Sequence, residues 1–189
     1  LVLRALAEAK VKPDAAVLVA PMVDFIRRGV PAVLMHAIAR VMAALGDARR
    51  PAWKWGEKPA VLPVDRINLL THDEHRYADE VWWRDHRPEI AMGPGSWGWV
   101  VAGYASTRLL ARPGMLEQAQ CPVLLLSTRN DKLVSPRAIE KAALRLPRGE
   151  LLSFGAEARH EILREVDTVR DRALTGIDEF LDRTAPVRD

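Results

Sequence analysis

Two short polar segments in the last third of the sequence carry residue types that catalysis uses. Residues 127–131 (STRND) end an apolar run with Asp131, and residues 159–162 (RHEI) contain His160. A histidine can take a proton from a nucleophile and return it to the leaving group, while a carboxylate holds the imidazole in the correct tautomer and stabilises its positive charge. Asp131 and His160 therefore predict the acid and the base of a proton relay, the alternative being a loop-capping aspartate and a histidine at a helix start.

The residues around these segments predict the elements that would position them. Strands are predicted over residues 123–128 (VLLLST) and 150–154 (ELLSF), and a helix over residues 135–145 begins at Ser135, with Pro136 in its first turn. A final helix is predicted from apolar residues that recur every three or four positions, namely Ile162, Val166, Val169, Ala173, Ile177 and Phe180. Strand, helix, strand, helix is the order of a parallel sheet with helical crossovers.

This order of elements would bring Asp131 and His160 together. Each residue follows the carboxyl end of a predicted strand, which is where sites form in parallel sheets. Neighbouring strands lie about 4.8 Å apart, so that a hydrogen bond between the carboxylate and the imidazole is within reach. We therefore expect both side chains at one edge of the sheet.

The first part of the sequence predicts two further core elements and a large insertion. Residues 1–9 (LVLRALAEA) predict a helix that is buried on most sides, and residues 15–20 (AAVLVA) predict a buried parallel strand. About a hundred residues separate this strand from the next, whereas a crossover needs only about 10–12. We predict an α/β core over residues 1–21 and 121–189, incomplete because its N-terminal strands are missing, and an inserted, mainly helical lid over residues 22–120.

The predicted lid contains an apolar helix and is rich in tryptophan. Val33, Ala37, Val41 and Leu45 make an apolar stripe at helical spacing. All six tryptophans of the chain lie in this insertion, at positions 53, 55, 82, 83, 97 and 99. This composition predicts a cover over an apolar pocket, the alternative being that the aromatic side chains fill a small core of the lid itself.

The composition argues against several classes of protein. Of the 189 residues, 49% are hydrophobic and 28% charged, which is enough apolar material for one domain with a core. The net charge is +3 without a run of five like charges, so a nucleic-acid partner is not indicated, although the basic bias leaves open a peripheral contact with an anionic membrane. No stretch of 18 apolar residues is present. The single cysteine, Cys121, cannot form an internal disulfide, is expected to be structural, and fits a reducing, cytoplasmic compartment.

Several stretches of the sequence resemble one family of enzymes. Two segments resemble the end of the lysophospholipase and monoacylglycerol-lipase branch of the α/β-hydrolases, namely PVLLLSTRNDKLVSP and RHEILREVDTVRDRALTGIDEFL. Two further segments resemble the lid of bacterial lysophospholipase L2-type proteins, namely NLLTHDEHRYADEVWW and GPGSWGWVVAGYAS. The opening LVLRALAE resembles the helix that follows the nucleophile in these proteins. The resemblance covers essentially the whole chain and is most specific around Asp131 and His160.

The resemblance implies a serine nucleophile that this sequence does not contain. In the family the serine lies in G-x-S-x-G, on a turn between a strand and a helix, and the order is serine, acid, histidine. No G-x-S-x-G occurs here, and the resemblance places it a few residues before Leu1, with the oxyanion-hole loop further upstream. Ser96 precedes Asp131 and His160, but Pro94 stands in place of the first glycine and no strand comes before it, so that we expect a lid turn there.

Two further polar clusters are assigned no direct catalytic role. His72 begins the segment HDEH, whose two histidines are three positions apart and could bind metal, but a third ligand is not evident. Glu161 and Glu165 are expected to match the charge of a helix N-terminus and to form salt bridges with Arg164 or Arg170. We therefore expect no metal site.

The resemblance implies a carboxylic-ester hydrolase that acts on single-chain lipid esters, either lysophospholipids or monoacylglycerols. An upstream serine would attack the ester carbonyl, His160 would act as general base and then general acid, and Asp131 would orient His160. No metal, organic cofactor or nucleic acid is implied, and the sequence leaves the oligomeric state open. Two alternatives are an α/β-hydrolase with an aspartate nucleophile, of the haloalkane or epoxide type, and a degenerate domain that binds a partner or a lipid without catalysis.

The 189 residues by themselves are expected to be inactive and poorly soluble. If strands precede the one predicted over residues 15–20, its apolar edge is left unpaired in this chain, and such edges promote aggregation. The complete protein is therefore expected to include residues before Leu1.

Overall fold

Three parallel strands form the centre of the molecule. The computed structural model describes residues 1–26, 30–52 and 64–186. The strands are β1 (Ala16–Val19), β2 (Val123–Thr128) and β3 (Gly149–Phe154). They lie in the order β1-β2-β3 and both pairings are parallel, which confirms the predicted sheet.

The middle strand, β2, is buried on both faces of the sheet. Leu125 packs in one apolar cluster and Leu126 in another, because successive side chains of a strand face opposite sides. The first cluster includes α1 (Val2–Ala7) and α6 (Pro136–Arg145), and the second includes α7 (Asp167–Thr184). Helices therefore cover both faces, as the predicted crossovers require.

The helix after β2 begins as its sequence predicts. The Oγ of Ser135 accepts the backbone N–H of Ala138 at 3.3 Å, and Pro136 occupies the first turn, where a missing N–H costs no helical hydrogen bond. Ile139 and Ala142 then face the core and are almost fully buried. This start fixes the end of the loop that carries Asp131.

Two core helices differ in part from their predictions. The first helix is confirmed, but only one face is buried, where Leu3 and Leu6 lie, while Val2 is exposed. The last helix begins at Asp167 rather than near Ile162, because the two residues before Asp167 have extended backbones. Ile162 is buried as its spacing predicts, but in a separate 3₁₀ turn.

Four α-helices lie in the described part of the insertion. They are α2 (Ala32–Ala44), α3 (Val64–Leu70), α4 (Glu74–His86) and α5 (Trp97–Leu110). Trp53 and Trp55 lie outside the described residues. Over residues 1–26, 30–52 and 64–186, no helix combines the length and the apolarity needed to cross a bilayer.

The apolar stripe predicted on α2 is helical but faces solvent. Val33 and Leu45 are exposed, whereas Met35 and Ala39 pack against Tyr104 of α5. The helix is apolar on more than one side, so that its periodicity does not identify the buried face. The small side chain of Ala39, which is fully buried, lets the two helices approach closely.

Candidate active site

The carboxylate of Asp131 is fixed by the loop that follows β2. Its Oδ1 accepts the backbone N–H of Leu133 at 2.8 Å and that of Val134 at 3.0 Å. The N–H of Asp131 itself donates to the carbonyl of Thr128 at 3.3 Å. An aspartate that accepts amides two and three positions ahead stabilises a tight turn. The side chain is only 1% exposed, so its direction is set by these bonds.

His160 lies beyond the carboxyl end of β3 and meets Asp131. The Nδ1 of His160 is 2.8 Å from the Oδ2 of Asp131. The imidazole is 24% exposed, while the carboxylate that it contacts is buried. The structure thus brings together two candidate residues that are 29 positions apart in the chain.

The hydrogen bonds that Asp131 accepts favour its ionised form. Burial raises the pKa of Asp131, but hydrogen bonds from His160 and from the N–H groups of Val134 and Leu133 lower it more, so that the pKa lies below the ordinary aspartate value. Asp131 is therefore ionised at neutral pH, and an ionised carboxylate can only accept hydrogen bonds. Nδ1 of His160 carries the proton of the shared hydrogen bond, which leaves Nε2 as the nitrogen that can take a proton.

A mainly apolar cavity of about 570 Å³ lies beside His160. Its wall includes Ala20, Met22, Phe25, Met35, Trp97 and Val100. The ring of Phe25 packs against Tyr104 at 4.6 Å and against Trp99 at 6.0 Å between centroids. Two of the four described tryptophans, Trp97 and Trp99, line this cavity.

Most of the residues that line this cavity were not singled out from the sequence. Ala20, Phe25 and Met35 carry no motif, since an apolar residue after a strand or on a helix is as common in a core as in a pocket.

A second cavity of about 500 Å³ lies between α5 and α6 and is lined in part by Arg108 and Lys141; neither Asp131 nor His160 lines it.

Ser96 lies at the start of α5 and acts as its N-cap. Its Oγ accepts the backbone N–H of Trp99 at 3.1 Å. Among the described residues that line the cavity beside His160 there is no serine or cysteine. In this structure Ser96 therefore has the role of a helix N-cap.

Glu165 differs from its prediction, whereas Glu161 agrees with it. Glu161 accepts from Arg164 at 2.9 Å, as expected for a surface ion pair. The side chain of Glu165 is fully buried, and its oxygens accept from His72 and from backbone N–H groups instead of from an arginine side chain. The predicted salt bridge of Glu165 was wrong because its main partner is 93 residues away in the sequence, where no local pattern can indicate it.

The segment HDEH, which begins at His72, takes part in this contact with Glu165. Nδ1 of His72 lies 2.9 Å from the carboxylate of Glu165. Over the part of the chain that the structure describes, no three histidine, cysteine, aspartate or glutamate side chains are arranged to hold a metal ion. In this structure His72 is a hydrogen-bond partner of Glu165, which lies in the loop that carries His160.

Cys121 has the environment of a structural cysteine. The residue is half-buried, and this burial is the main cause that raises the pKa of its thiol. A raised pKa keeps the thiol protonated at neutral pH, whereas a nucleophilic cysteine needs a lowered one.

The chain is similar in sequence to a family of hydrolases and to bacterial lysophospholipases. The family model Hydrolase_4, described as serine aminopeptidase, S33, matches residues 1–167. Lysophospholipase L2 of Escherichia coli strain K12 is 32% identical over 124 residues, which are 62% of this chain and 36% of that protein. Probable lysophospholipase L2 of Haemophilus influenzae is 29% identical over 94 residues, which are 50% of this chain and 29% of that protein. The chain therefore spans about a third of the length of these curated relatives.

Solved structures of lipases share the fold. A soluble variant of monoglyceride lipase from Saccharomyces cerevisiae matches with a TM-score of 0.70 at 16% identity, over 97% of this chain and 61% of that chain. Monoacylglycerol lipase from Paleococcus ferrophilus matches with a TM-score of 0.66 at 17% identity, over 96% of this chain and 63% of that chain. At these identities the likeness shows the fold, so that the predicted partial α/β-hydrolase fold is confirmed.

Proposed function

Since this chain belongs to the Hydrolase_4 family, serine aminopeptidase, S33, we propose that it forms the acid–base part of a carboxylic-ester hydrolase. The observation that carries the proposal is the 2.8 Å hydrogen bond between Nδ1 of His160 and Oδ2 of Asp131, beside the apolar cavity that His160 lines. In the proposed triad the nucleophile is a serine in a G-x-S-x-G segment that precedes Leu1 in the complete protein.

The pair would move one proton in each half of the reaction. Nε2 of His160 takes the proton of the serine hydroxyl as the oxygen attacks the ester carbonyl, and the imidazolium then gives this proton to the departing alcohol. Water repeats the sequence on the acyl-enzyme, which releases the fatty acid and regenerates the serine. Asp131 stays ionised throughout and stabilises the positive charge on the imidazole.

The proposed substrates are single-chain lipid esters, either lysophospholipids or monoacylglycerols. The cavity beside His160, of about 570 Å³, has the size and the apolar lining that are typical of sites for small hydrophobic ligands. An acyl chain in this cavity would lie with its ester carbonyl next to His160. The names of the relatives, lysophospholipase L2 and monoglyceride lipase, support the same class of substrate.

We propose that the protein is cytoplasmic and contacts the membrane, where such substrates reside, through the exposed side of α2. Five apolar side chains of this side are exposed, namely Val33, Leu34, Ile38, Val41 and Leu45. An exposed apolar helix face can lie at the boundary between head groups and acyl chains without crossing the bilayer. This surface supports a peripheral contact that delivers lipid to the neighbouring cavity.

Hydrolysis of lipid esters by the complete protein, expressed from the start of its reading frame, tests the proposal. The substrates are monoacylglycerols and lysophosphatidylethanolamines with acyl chains of increasing length, and an aminoacyl amide is the comparison substrate. His160→Ala is expected to lower kcat on the order of 10⁶-fold, as loss of the general base does in a triad. His86→Ala, which changes an exposed histidine of α4, should leave kcat unchanged.

Two results would contradict the proposal. A kcat of His160→Ala within about tenfold of wild type corresponds to a barrier change of only about 1.4 kcal/mol, and it would show that His160 is not the general base. Turnover of the aminoacyl amide without turnover of any lipid ester would exclude lipid esters as the substrates.

A further inference from the structure

The loop that carries His160 is hydrogen-bonded to a segment of the insertion. This segment, residues 67–76, is called the anchor segment below. The backbone N–H of His160 donates to the carbonyl of Leu69 at 3.4 Å, and that of Glu161 donates to the carbonyl of Leu70 at 2.8 Å. The guanidinium of Arg159 donates to the carbonyl of Thr71 at 2.6 Å. The backbone on both sides of the imidazole is therefore held by residues of the insertion.

The carboxylate of Glu165 lies at the centre of this contact. Its Oε1 accepts the backbone N–H of Arg159 at 2.8 Å and the Nδ1 of His72 at 2.9 Å. Its Oε2 accepts the backbone N–H of His72 at 3.1 Å and that of Val166 at 3.3 Å. Each oxygen thus joins the loop of His160 to the anchor segment.

A carboxylate in this position is costly unless its hydrogen bonds are made. The side chain of Glu165 is 0% exposed, and a buried charge without partners is strongly unfavourable. Four N–H donors satisfy it, so the arrangement is stable only while the loop and the anchor segment keep this geometry. The N–H of Arg159 is one residue before His160, and its bond to Glu165 fixes the backbone from which the imidazole projects.

We propose that Glu165 is a positioning residue for His160 and that His72 is its partner from the insertion, an inference that rests on the proposed ester hydrolysis. Glu165 holds the loop so that the imidazole meets Asp131 on one side and the cavity on the other. The anchor segment therefore belongs functionally to the catalytic loop. A second bond from the segment, from the Oγ1 of Thr71 to the carbonyl of Arg164 at 2.7 Å, supports the same loop.

Glu165→Gln is the first variant that tests this role. The glutamine keeps the volume of glutamate, but in either orientation its NH₂ group faces at least one backbone N–H, that of Arg159 or those of His72 and Val166. The loop must shift to relieve this contact, and a shift of about 1 Å can lower kcat on the order of 100-fold. KM should be unchanged, because only the position of the base is altered.

Two substitutions of His72 form a matched pair. Asparagine can donate its NH₂ from nearly the position of Nδ1, so that His72→Asn is expected to keep a kcat close to wild type. His72→Leu removes this donor from Oε1 of Glu165 and should lower kcat. Glu179→Gln, at an exposed position of α7, is the control for the loss of a carboxylate and should leave kcat unchanged.

A second measurement does not depend on activity. The Nδ1 proton of His160, bound to an ionised carboxylate, is expected to give a proton NMR resonance far downfield of the amides. Glu165→Gln and His72→Leu should shift or broaden this resonance at temperatures well below Tm, while His72→Asn and Glu179→Gln should not. A purely structural role predicts a lower Tm with an unchanged resonance and unchanged kcat in the folded protein, and that result would overturn the proposal.

The readouts separate the two proposals. If the wild-type protein hydrolyses no ester, the proposed function fails, while the resonance still reports whether Glu165 positions His160. If Glu165→Gln does not fold, the comparison of His72→Leu with His72→Asn decides, and equal kcat and equal resonances in these two variants would refute the positioning role.

Discussion

Replacement of Asp131 by asparagine changes one atom of the carboxylate and should reverse the tautomer of His160. The backbone N–H groups of Leu133 and Val134 both donate to Oδ1, at 2.8 and 3.0 Å. An asparagine must therefore keep its oxygen at this position, since the opposite orientation would place its NH₂ group against two donors. Its Nδ2 then donates to Nδ1 of His160, so that the imidazole carries its proton on Nε2.

An imidazole with a proton on Nε2 cannot take the proton of the nucleophile. In a serine triad the same change lowers kcat roughly 10⁴-fold, which corresponds to a barrier increase of about 5 kcal/mol. Folding should be affected much less, because the two bonds to Oδ1 are retained and the bond to His160 is reversed, not lost. We expect a stability loss of about 1–2 kcal/mol at neutral pH.

The assay is kcat of the complete protein on a monoacylglycerol, with Tm measured on the same samples. Asp182→Asn, at an exposed position of α7, is the matched control and should have wild-type kcat. A kcat of Asp131→Asn within about tenfold of wild type, in a protein with an intact fold, would refute the assignment of the tautomer.

Three further predictions concern Ser96, a surface ion pair and the cavity beside His160. Ser96→Ala should leave kcat unchanged and lower stability by about 1 kcal/mol through loss of a helix N-cap, and a loss of several orders in kcat would restore Ser96 as a nucleophile. Arg145 holds the pKa of Glu117 at about 2, so that the ionised pair contributes stability above the ordinary glutamate range and loses it as the pH falls through about 2. The difference in Tm between wild type and Glu117→Gln should therefore be present at neutral pH and vanish near pH 2, and a constant difference would contradict it. Met35→Trp should fill part of the cavity and lower kcat/KM for long-chain esters more than for short-chain esters. An equal loss for both would show that the acyl chain does not bind in this cavity.

The sequence predicted the core well where local patterns and burial agree. β2 is a continuous apolar run that is buried on both faces, and its limits match the prediction. The proximity of Asp131 and His160 could be predicted because each follows a strand of one parallel sheet, so that order along the chain sets which residues meet at the sheet edge.

The parts that the sequence did not predict depend on long-range contacts. α2 is apolar on more than one side, and only the fit of Ala39 against α5 decides which side is buried. Glu165 was expected to form a salt bridge with Arg164 or Arg170, but its side-chain partner is His72, which lies in the insertion. Neither result follows from periodicity or from spacing along the chain.

Covalent labelling of the complete protein with a fluorophosphonate probe tests most directly whether Asp131 and His160 form the proton relay of a serine hydrolase. The adduct is expected on a serine of a G-x-S-x-G segment that precedes Leu1, with wild-type labelling rates in His86→Ala and labelling slowed by several orders of magnitude in His160→Ala. An adduct on Ser96, or labelling of His160→Ala at the wild-type rate, would contradict the proposed relay.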